Sequence, residues 1–416
     1  MRALEDTDCR LCGSKELILY LDLGELPIAD AFTKVPTRGN RDYYFPLKVN
    51  ICSACGWSQL SHVVDSEILY QRDYPYDSRV TDTGEKHWSA FAEKTIDKYS
   101  LNNHDLVLDI GSNTGALLQQ FRSRGIKTVG VDPSKTASDI ANQTGISTIN
   151  DFFNESSSME ILNKYGAPKV ITSTNSFAHV DDLVSWMKNV SRILDTNGVL
   201  IIESPHILEL LRFTQFDTVY HEHLSYISIA PLIPFFKTFG FRIIDVEKQS
   251  IHGGSIRIHV SKNSGFETMD SVPEIVREEE NFGLRELSRL NDFALAVTLV
   301  KTELSQMLLE IRNRGESVAI ASAPAKGMTL INYIEIDDNQ IASLSDKSDL
   351  KIGRYAPGTA MLVETDSQLL ALKPDYILIL AWNFAPEIMK NLLQGALKRP
   401  QFIIPIPRPV IMSPNA

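Results

Sequence analysis

The chain has 416 residues, of which 43% are hydrophobic and 22% charged, and its formal net charge at pH 7 is −11. This length suits two or three domains, and the acidic balance argues against a nucleic-acid binder, whose affinity depends on neutralising phosphates. No apolar run reaches the ~20 residues that a bilayer-spanning helix needs, and the first residues lack the apolar core of a signal peptide. We therefore expect a cytoplasmic protein.

All four cysteines belong to two Cys-x-x-Cys-Gly knuckles near the N-terminus. Four thiolates can enclose one Zn²⁺ in a closed, tetrahedral, structural site. Redox-active thiols are the alternative, but two matched pairs with no cysteine left over favour zinc. Two short extended segments, Asp22–Asp30 and Phe45–Ile51, would belong to the small sheet that brings the knuckles together. We predict a zinc-binding domain over residues 1–70, with the metal ligands Cys9, Cys12, Cys52 and Cys55.

The stretch from Tyr70 to Ser78 is rich in tyrosine and precedes an amphipathic helix expected from about Val80 to Tyr99. Pro75 favours an extended conformation of Tyr74. Loop tyrosines usually belong to the core. Three of them close together, in front of a domain of catalytic type, favour a site that includes Tyr74, Tyr76 and Ser78.

The strongest nucleotide-binding signal is an apolar strand that runs through a Gly-x-x-x-Gly turn into a helix, from Leu106 to Leu117. The glycines allow a tight turn and the close approach of a ligand. Asp132 follows a second strand about twenty residues later, where a carboxylate can bind ribose hydroxyls. Dinucleotide dehydrogenases prefer Gly-x-Gly-x-x-Gly, which is absent, whereas Asp-x-Gly-x-x-x-Gly is similar to the S-adenosylmethionine fold. The two fingerprints are related, so this motif alone leaves both open.

Later strand ends supply further candidates for the cofactor site, because ligands of open α/β sheets bind at the carboxyl edge. Asp151–Phe153 follow a short strand, where an adenine ring can lie, and Asn175–His179 follow another. His179 is either catalytic or a cap of the helix after Asp181. The predicted cofactor-binding residues are Asp109, Gly111, Ser112, Asn113, Gly115, Asp132, Pro133, Asp151, Phe152, Phe153, Asn175 and Phe177.

The segment Phe216–Tyr226 concentrates two histidines, one glutamate and two tyrosines. Imidazole titrates near neutral pH and can act as a general acid or base with little tuning. A strand would point Tyr220 and Glu222 to one side and both histidines to the other, whereas a loop can converge them. A structural hydrogen-bond cluster is the alternative, but such a density of proton-handling groups favours a site.

The last part of the chain predicts a strand after the glycine pair Gly253-Gly254, charged helices from Val272 to Asn313, and a second α/β pattern. Its first turn, Ala-Pro-Ala-Lys-Gly, sets Lys326 at a helix N-terminus, which suits an anion. We predict a methyltransferase-type domain over residues 71–265 and a second Rossmann-like domain over 266–416. A purely structural C-terminal domain is the alternative.

The order of these domains, together with four motifs, resembles the nucleotide-sugar C-methyltransferases. The motifs are Tyr-His-Glu-His at 220–223, His-Gly-Gly-Ser-Ile-Arg at 252–257, Ala-Pro-Ala-Lys-Gly at 323–327 and Ala-Trp-Asn-Phe at 381–384. The resemblance covers essentially the whole chain. It implies methylation at C3 of a nucleotide-linked 4-keto deoxysugar by S-adenosylmethionine, in branched-sugar biosynthesis. The chain departs from the family at Asp132, where glutamate is commoner, although either carboxylate can bind a ribose diol. It also departs at Met328, where a polar residue is commoner, so GDP stays open as a carrier beside dTDP, which the resemblance favours.

The resemblance further implies that His223 is the catalytic base and that Tyr220, His179 and either Tyr74 or Tyr76 line the sugar site. A ketone at C4 makes the C3 hydrogen acidic, so a neutral imidazole can remove it if His221 or Glu222 holds the ring in the right tautomer. A phenol or imidazole can then stabilise the enolate. The expected substrate-binding residues are Ser78, His252, Gly253, Gly254, Ser255, Arg257, Lys326, Asn332, Arg354, Tyr355 and Asn383.

Three other functions compete with C-methylation. They are an O- or N-methyltransferase of a small molecule, a nucleotide-sugar binding protein with a decayed site, and an NAD-dependent dehydrogenase or epimerase. C-methylation alone uses every motif. We expect a monomer, because no coiled coil or long apolar edge is evident.

Overall fold

The structure of the protein is a computed structural model, and it describes residues 3–39, 44–70 and 82–413. The N-terminal module consists of β1 (Ala3–Glu5), β2 (Leu17–Pro27), β3 (Tyr44–Cys52), β4 (Ser58–Leu60), β5 (His62–Val64) and the short helix α1 (Ser66–Tyr70). In β3 the buried residues Phe45, Leu47 and Val49 alternate with half-buried ones. Such alternation is typical of a half-buried strand, and the extended segment expected here is confirmed.

The middle region is a seven-stranded sheet covered by helices on both faces. Its elements are α2 (Asp82–Tyr99), β6 (Leu106–Ile110), α3 (Ala116–Ser123), β7 (Lys127–Val131), α4 (Lys135–Gln143), β8 (Thr148–Ile149), α5 (Glu155–Tyr165), β9 (Val170–Thr174), α6 (Leu183–Ile193), β10 (Val199–Pro205), α7 (Ile207–Arg212), β11 (Ser225–Tyr226), α8 (Ile229–Thr238), β12 (Arg242–Gln249) and β13 (Ser255–Ser261). Leu108 of β6 packs in one buried cluster with α6 and α8, and Val107 packs in another with α2 and α3.

The strand order β12–β13–β10–β9–β6–β7–β8 places the cofactor turn at the centre of this sheet. Strands β6 to β10 are parallel. At one edge β13 runs antiparallel to β10, and β12 runs antiparallel to β13. The chain order reverses between β6 and β9, so the loops after these two strands diverge and leave a crevice at their carboxyl ends. This crevice holds the site described below.

The histidine-rich segment forms a loop. One 3-10 turn, Phe216–Thr218, leads through a further turn into β11. Strand β11 leaves the middle sheet and extends the N-terminal sheet, whose order is β11–β4–β3–β2. Ser225 pairs with Gln59 in that sheet, so the N-terminal module holds one end of the histidine-rich loop.

The C-terminal region begins with two helices and ends in a six-stranded sheet. Its elements are α9 (Ser271–Phe282), α10 (Leu287–Asn313), β14 (Val318–Ala321), α11 (Ala325–Tyr333), β15 (Ile341–Ser345), β16 (Val363–Glu364), α12 (Asp366–Ala371), β17 (Tyr376–Ile379), α13 (Ala385–Gly395), β18 (Gln401–Ile404) and β19 (Val410–Met412). The order is β16–β15–β14–β17–β18–β19, with only β19 antiparallel to its neighbour. The expected second Rossmann-like sheet is confirmed, and its order reverses between β14 and β17.

The three regions share their hydrophobic cores. Leu47 of the N-terminal sheet belongs to one buried cluster with Val297 of α10 and Leu330 of α11. Trp57, which follows the second cysteine knuckle, packs with the core of the middle sheet. The N-terminal module therefore packs directly against both larger regions. None of the helices in the described part of the chain has the length and hydropathy to cross a membrane.

Candidate active site

The four cysteines meet at one point in the N-terminal module. Their sulfur atoms all lie within 4.8 Å of one another, and the pairs Cys9–Cys55 and Cys12–Cys52 are 3.7 Å apart. Each knuckle ends in a glycine with positive φ, whose N–H donates to the carbonyl of the first cysteine of that knuckle. Four Zn–S bonds of about 2.3 Å in a tetrahedron set the sulfurs about 3.8 Å apart, so these thiolates fit a zinc ion. The zinc is structural, because four sulfurs complete its coordination.

The turn after β6 is packed so tightly that glycine is required. Gly111 has a φ of 74°, and a Cβ there would lie 2.6 Å from the Cβ of Ser176. Gly130 of β7 faces the same turn, and its Cβ would lie 2.3 Å from the Ser112 hydroxyl oxygen. A side chain at either position would force this turn to shift, whereas glycine lets a nucleoside approach the backbone closely.

Two buried carboxyl groups frame this turn. The Asp132 carboxyl accepts hydrogen bonds from the N–H groups of Asn113 and Ser134, both at 2.8 Å, which hold it at the end of β7. Burial raises the pKa of Asp132 to about 6, against the lowering effect of these two bonds. Asp109 accepts from the Thr172 hydroxyl at 2.7 Å, and burial raises its pKa to about 7. Asp132 has the placement that ribose hydroxyls require.

A cavity of about 1320 Å³ extends from this turn to the C-terminal sheet. Its wall includes nine of the predicted cofactor residues, Asp109, Gly111, Ser112, Asn113, Asp132, Pro133, Phe152, Phe153 and Asn175. It also includes the predicted catalytic or substrate residues His179, Tyr220, His223, His252, Lys326 and Asn383. The crevice of the middle sheet, the histidine-rich loop and the C-terminal turn thus face a single space.

His223 is held with one ring nitrogen directed to the cavity. Its Nδ1 lies 2.8 Å from the carbonyl oxygen of Thr218, which can only accept, so Nδ1 carries the hydrogen. Its Nε2 is therefore the basic nitrogen, and it accepts from the Tyr220 hydroxyl at 2.8 Å. Burial lowers the pKa of His223 to about 4, so the ring is neutral at pH 7. The tautomer is held by a backbone carbonyl, and this corrects the expectation that His221 or Glu222 holds it.

His221 points away from the cavity. Its Nε2 lies 3.2 Å from the Phe45 carbonyl oxygen, and its ring packs edge-on against the Phe45 ring. In the described part of the chain His221 is not on the cavity wall, so its predicted catalytic role is corrected to one of packing against the N-terminal sheet. Adjacent residues of a turn point in different directions, and residue spacing alone, without the family resemblance, did not show which histidine would face the site.

Glu222 is fully buried beside the site. Neither carboxyl oxygen has a hydrogen-bond partner among the residues that the structure describes. Burial, aided by the nearby Asp30 carboxyl, raises the pKa of Glu222 to about 8. Asp30 is also buried, 3.8 Å from the Lys351 ammonium, and burial raises its pKa too. Glu222 therefore carries its proton at neutral pH.

Glu222→Gln is expected to gain stability relative to the wild type as the pH rises. The folded protein holds the Glu222 proton up to about pH 8, whereas the unfolded chain releases it near 4.5. Wild-type stability therefore falls between these values, and the neutral amide escapes this loss. Melting temperatures of both proteins between pH 5 and 9 measure the effect. Glu67→Gln, at an exposed glutamate, is the control. Parallel pH profiles for Glu222→Gln and wild type would rule out a raised pKa at Glu222.

The C-terminal wall of the cavity is tied to the histidine-rich loop. The indole N–H of Trp382 donates to the buried Asp217 carboxylate at 2.7 Å. The Lys326 ammonium lies 4.1 Å from the centre of the Trp382 ring and donates to the amide oxygen of Asn383. Burial lowers the pKa of Lys326 to about 8, while Asp217 acts in the opposite direction. A cationic group thus lines the cavity opposite the cofactor turn.

Several predicted residues lie elsewhere in the described part of the chain. Arg257 is buried in β13, where its guanidinium pairs with Glu203 at 2.7 Å and lies over the Phe91 ring, so its charge is neutralised. Phe177 is a core residue packed on Trp186. Also away from the cavity wall are Gly115, Asp151, Gly253, Gly254, Ser255, Asn332, Arg354 and Tyr355. These placements correct the expectation of direct ligand contacts. Tyr74, Tyr76 and Ser78 lie outside the described residues.

Sequence reasoning missed two residues that hold the histidines of the site in place. Tyr70 is half-buried and stacks on His179, with its hydroxyl 3.0 Å from Nδ1 of that histidine. It opens the tyrosine-rich stretch, so composition was a usable signal. Thr218 acts through its backbone carbonyl, which leaves no side-chain signature in a sequence.

Three family models match consecutive parts of this chain. A zinc binding domain matches residues 9–70, a methyltransferase domain matches 85–246, and a C-methyltransferase C-terminal domain matches 250–407. C-methyltransferase NovU of Streptomyces niveus is 32% identical over 407 residues, which cover 98% of this chain and 97% of NovU. This chain belongs to the C-methyltransferase family. The C-methyltransferase uses S-adenosylmethionine and a structural zinc ion, and both expected cofactors are confirmed.

Solved structures show weaker likeness to the C-methyltransferase. An S-adenosylmethionine-dependent methyltransferase from Clostridium acetobutylicum is 17% identical, covering 42% of this chain and 91% of its own, with a TM-score of 0.34. Magnesium protoporphyrin IX methyltransferase from Synechocystis, with bound SAH, is 14% identical, covering 46% and 91%, with a TM-score of 0.35.

Proposed function

We propose that this C-methyltransferase methylates C3 of a nucleotide-linked 4-keto deoxysugar through an enolate, with His223 as the base. The observation that carries the proposal is the state of His223. A neutral ring whose Nδ1–H is held by a backbone carbonyl offers a basic Nε2 to a cavity that also reaches Asp132. Methylation of carbon needs such a base, because a C–H bond must break before the carbon becomes nucleophilic.

The chain's residues act on the substrate in a defined order. The Tyr220 hydroxyl occupies the position in line with the lone pair of His223 Nε2. When the sugar binds, its C3–H bond replaces this hydroxyl. His223 accepts the C3 proton on Nε2, and the electron pair passes into the C3–C4 bond, which leaves negative charge on the C4 oxygen. The displaced Tyr220 hydroxyl and His179 are the described donors for that oxygen, and Tyr74 or Tyr76 is a further candidate. S-adenosylmethionine, held at the turn beside Asp132, would supply the electrophilic methyl group: its S–CH3 bond would break as the C3–CH3 bond forms, and S-adenosylhomocysteine would leave with the sulfur electron pair.

The C-terminal wall supports a nucleoside diphosphate carrier, dTDP or GDP. Lys326 lies on that wall at the N-terminal end of α11, and Lys347 and Lys351 also line the cavity. Cationic groups beside a helix N-terminus favour phosphate. Two reactants held in one enclosed space gain much of the rate from positioning.

Hydrogen exchange at C3 tests the proposal. The enzyme is incubated in D₂O with a dTDP-linked 4-keto-deoxysugar and S-adenosylhomocysteine, which cannot donate a methyl group. Loss of the C3 proton signal in NMR spectra, at a rate set by enzyme concentration, is the expected result. With S-adenosylmethionine the product should carry a new C–C bond at C3. A product methylated on oxygen or nitrogen, with no C3 exchange, would replace the proposal with the O- or N-methyltransferase alternative.

A further inference from the structure

His179 lines the cavity and has an imidazole nitrogen to which no described residue forms a hydrogen bond. It lies in the 3-10 turn Phe177–His179, directly after β9. Its Nε2 is buried and has no hydrogen-bond partner among the described residues. The ring lines the cavity, and its centre is 5.1 Å from that of His223. Such an orphaned polar atom in a cavity is costly unless a ligand satisfies it.

Tyr70 determines which atom of His179 carries the hydrogen. The two rings stack with centres 5.7 Å apart and planes at 19°, and the Tyr70 hydroxyl is 3.0 Å from Nδ1. A phenol is a better donor than acceptor, and a bare imidazole nitrogen is a good acceptor. Among the described residues, the Glu222 carbonyl oxygen competes for the Tyr70 hydroxyl, but it is farther away at 3.4 Å and already receives the N–H of Leu224. The shorter distance favours donation from Tyr70 to Nδ1, and this direction leaves the hydrogen of the neutral ring on Nε2.

The two histidines of the site consequently have opposite tautomers. His223 carries its hydrogen on Nδ1 and presents a basic Nε2. His179 carries its hydrogen on Nε2 and presents a donor. Both rings are neutral at pH 7, since burial lowers the pKa of His223 to about 4 and lowers that of His179 well below its ordinary value, with His223 adding to the second shift. The cavity wall thus includes one imidazole that accepts a hydrogen bond and one that donates.

We propose that Tyr70 is a positioning residue that holds His179 in the Nε2–H tautomer, so that His179 donates to the C4 oxygen of the substrate. This inference rests on the proposed function. As the C3–H bond breaks, its proton goes to His223 and the negative charge collects on the C4 oxygen. His179 keeps its hydrogen and stabilises this charge, as the donors of an oxyanion hole do. In the opposite tautomer His179 would present a lone pair to the same oxygen and repel it.

The tautomer is tested without any substrate. Nitrogen-15 NMR of histidine-labelled enzyme separates protonated from bare ring nitrogens, and His179→Gln identifies the His179 signals. The wild type should show His179 with a bare Nδ1 and a protonated Nε2. Tyr70→Phe should shift these signals towards a mixture of tautomers. A wild-type spectrum with the hydrogen on Nδ1, or one unchanged by Tyr70→Phe, would overturn the proposal. Because no sugar is present, this readout is independent of whether the proposed substrate is correct.

Measurements of turnover distinguish a positioning role of Tyr70 from a purely structural one. Tyr70→Phe should lower kcat about tenfold to a hundredfold, less than the loss of a whole oxyanion donor, with KM little changed. In a His179→Gln background the same change should cost much less, because a glutamine amide donates without help from Tyr70. Tyr99→Phe is the matched control, since Tyr99 makes the same kind of bond to His259 at 2.7 Å, away from the cavity. An equal loss from Tyr70→Phe in both backgrounds would assign Tyr70 a purely structural role and contradict the proposal.

Discussion

His223→Asn is expected to lower kcat by about 10²- to 10⁴-fold, the range typical of a lost general base. The asparagine amide can still donate to the Thr218 carbonyl, so the loop should keep its shape while the basic nitrogen is lost. Calorimetry should show that S-adenosylhomocysteine and dTDP or GDP bind within a few-fold of their wild-type affinities. Exchange of the C3 hydrogen in D₂O should slow as much as methyl transfer does, because both require the same proton abstraction.

The control for this change is His104→Asn, at an exposed histidine outside the cavity. It should leave kcat, binding and hydrogen exchange unchanged. If His223→Asn retains wild-type exchange, another group removes the C3 proton. If exchange continues while methyl transfer stops, His223 acts after proton removal and its proposed role as base is lost.

Loss of zinc is expected to lower both the melting temperature and the turnover of the enzyme. Cys52→Ala removes one of the four sulfurs of a site that stabilises only the folded state. Structural zinc contributes about 10 kcal/mol or more to the folding of small zinc domains. Losing even about a third of this, at about 2–4 °C for each kcal/mol, should lower the melting temperature by about 10 °C. Activity should fall too, because β4 of the zinc module pairs with β11, which ends the histidine-rich loop. Thermal unfolding, metal content and kcat measure the three effects.

Ser53→Ala is the control for the zinc variant, since Ser53 lies in the same knuckle but is exposed and contributes no sulfur to the cluster. Its effect on stability should stay within about 0.5 kcal/mol. A Cys52→Ala enzyme with full metal content and an unchanged melting temperature would show that the fourth sulfur is dispensable. Unchanged turnover with a lowered melting temperature would show that the zinc module does not position His223.

Short-range patterns determined much of this protein from the sequence alone. Two Cys-x-x-Cys-Gly knuckles predict zinc, because the residues that bind the metal are also the ones that form each turn. The turn from Asp109 to Gly115 predicts the cofactor crevice for the same reason, since strand, glycines and helix start are contiguous. The second α/β sheet followed from alternating strands and helices. In each case the sequence motif and the structure that it specifies are formed by residues close together in the chain.

Tertiary structure alone decided how the groups of the site are used. The family resemblance singled out His223 as the base, but spacing along the chain could not show that His221 packs on Phe45 or that Arg257 is neutralised by Glu203. These outcomes depend on packing between segments far apart in the chain, which local spacing does not encode. The tautomers of the two cavity histidines depend on a Thr218 carbonyl and on Tyr70, which the fold brings to His179 across 109 positions. Proton chemistry requires atoms placed within hydrogen-bond distance, and only the folded chain places them.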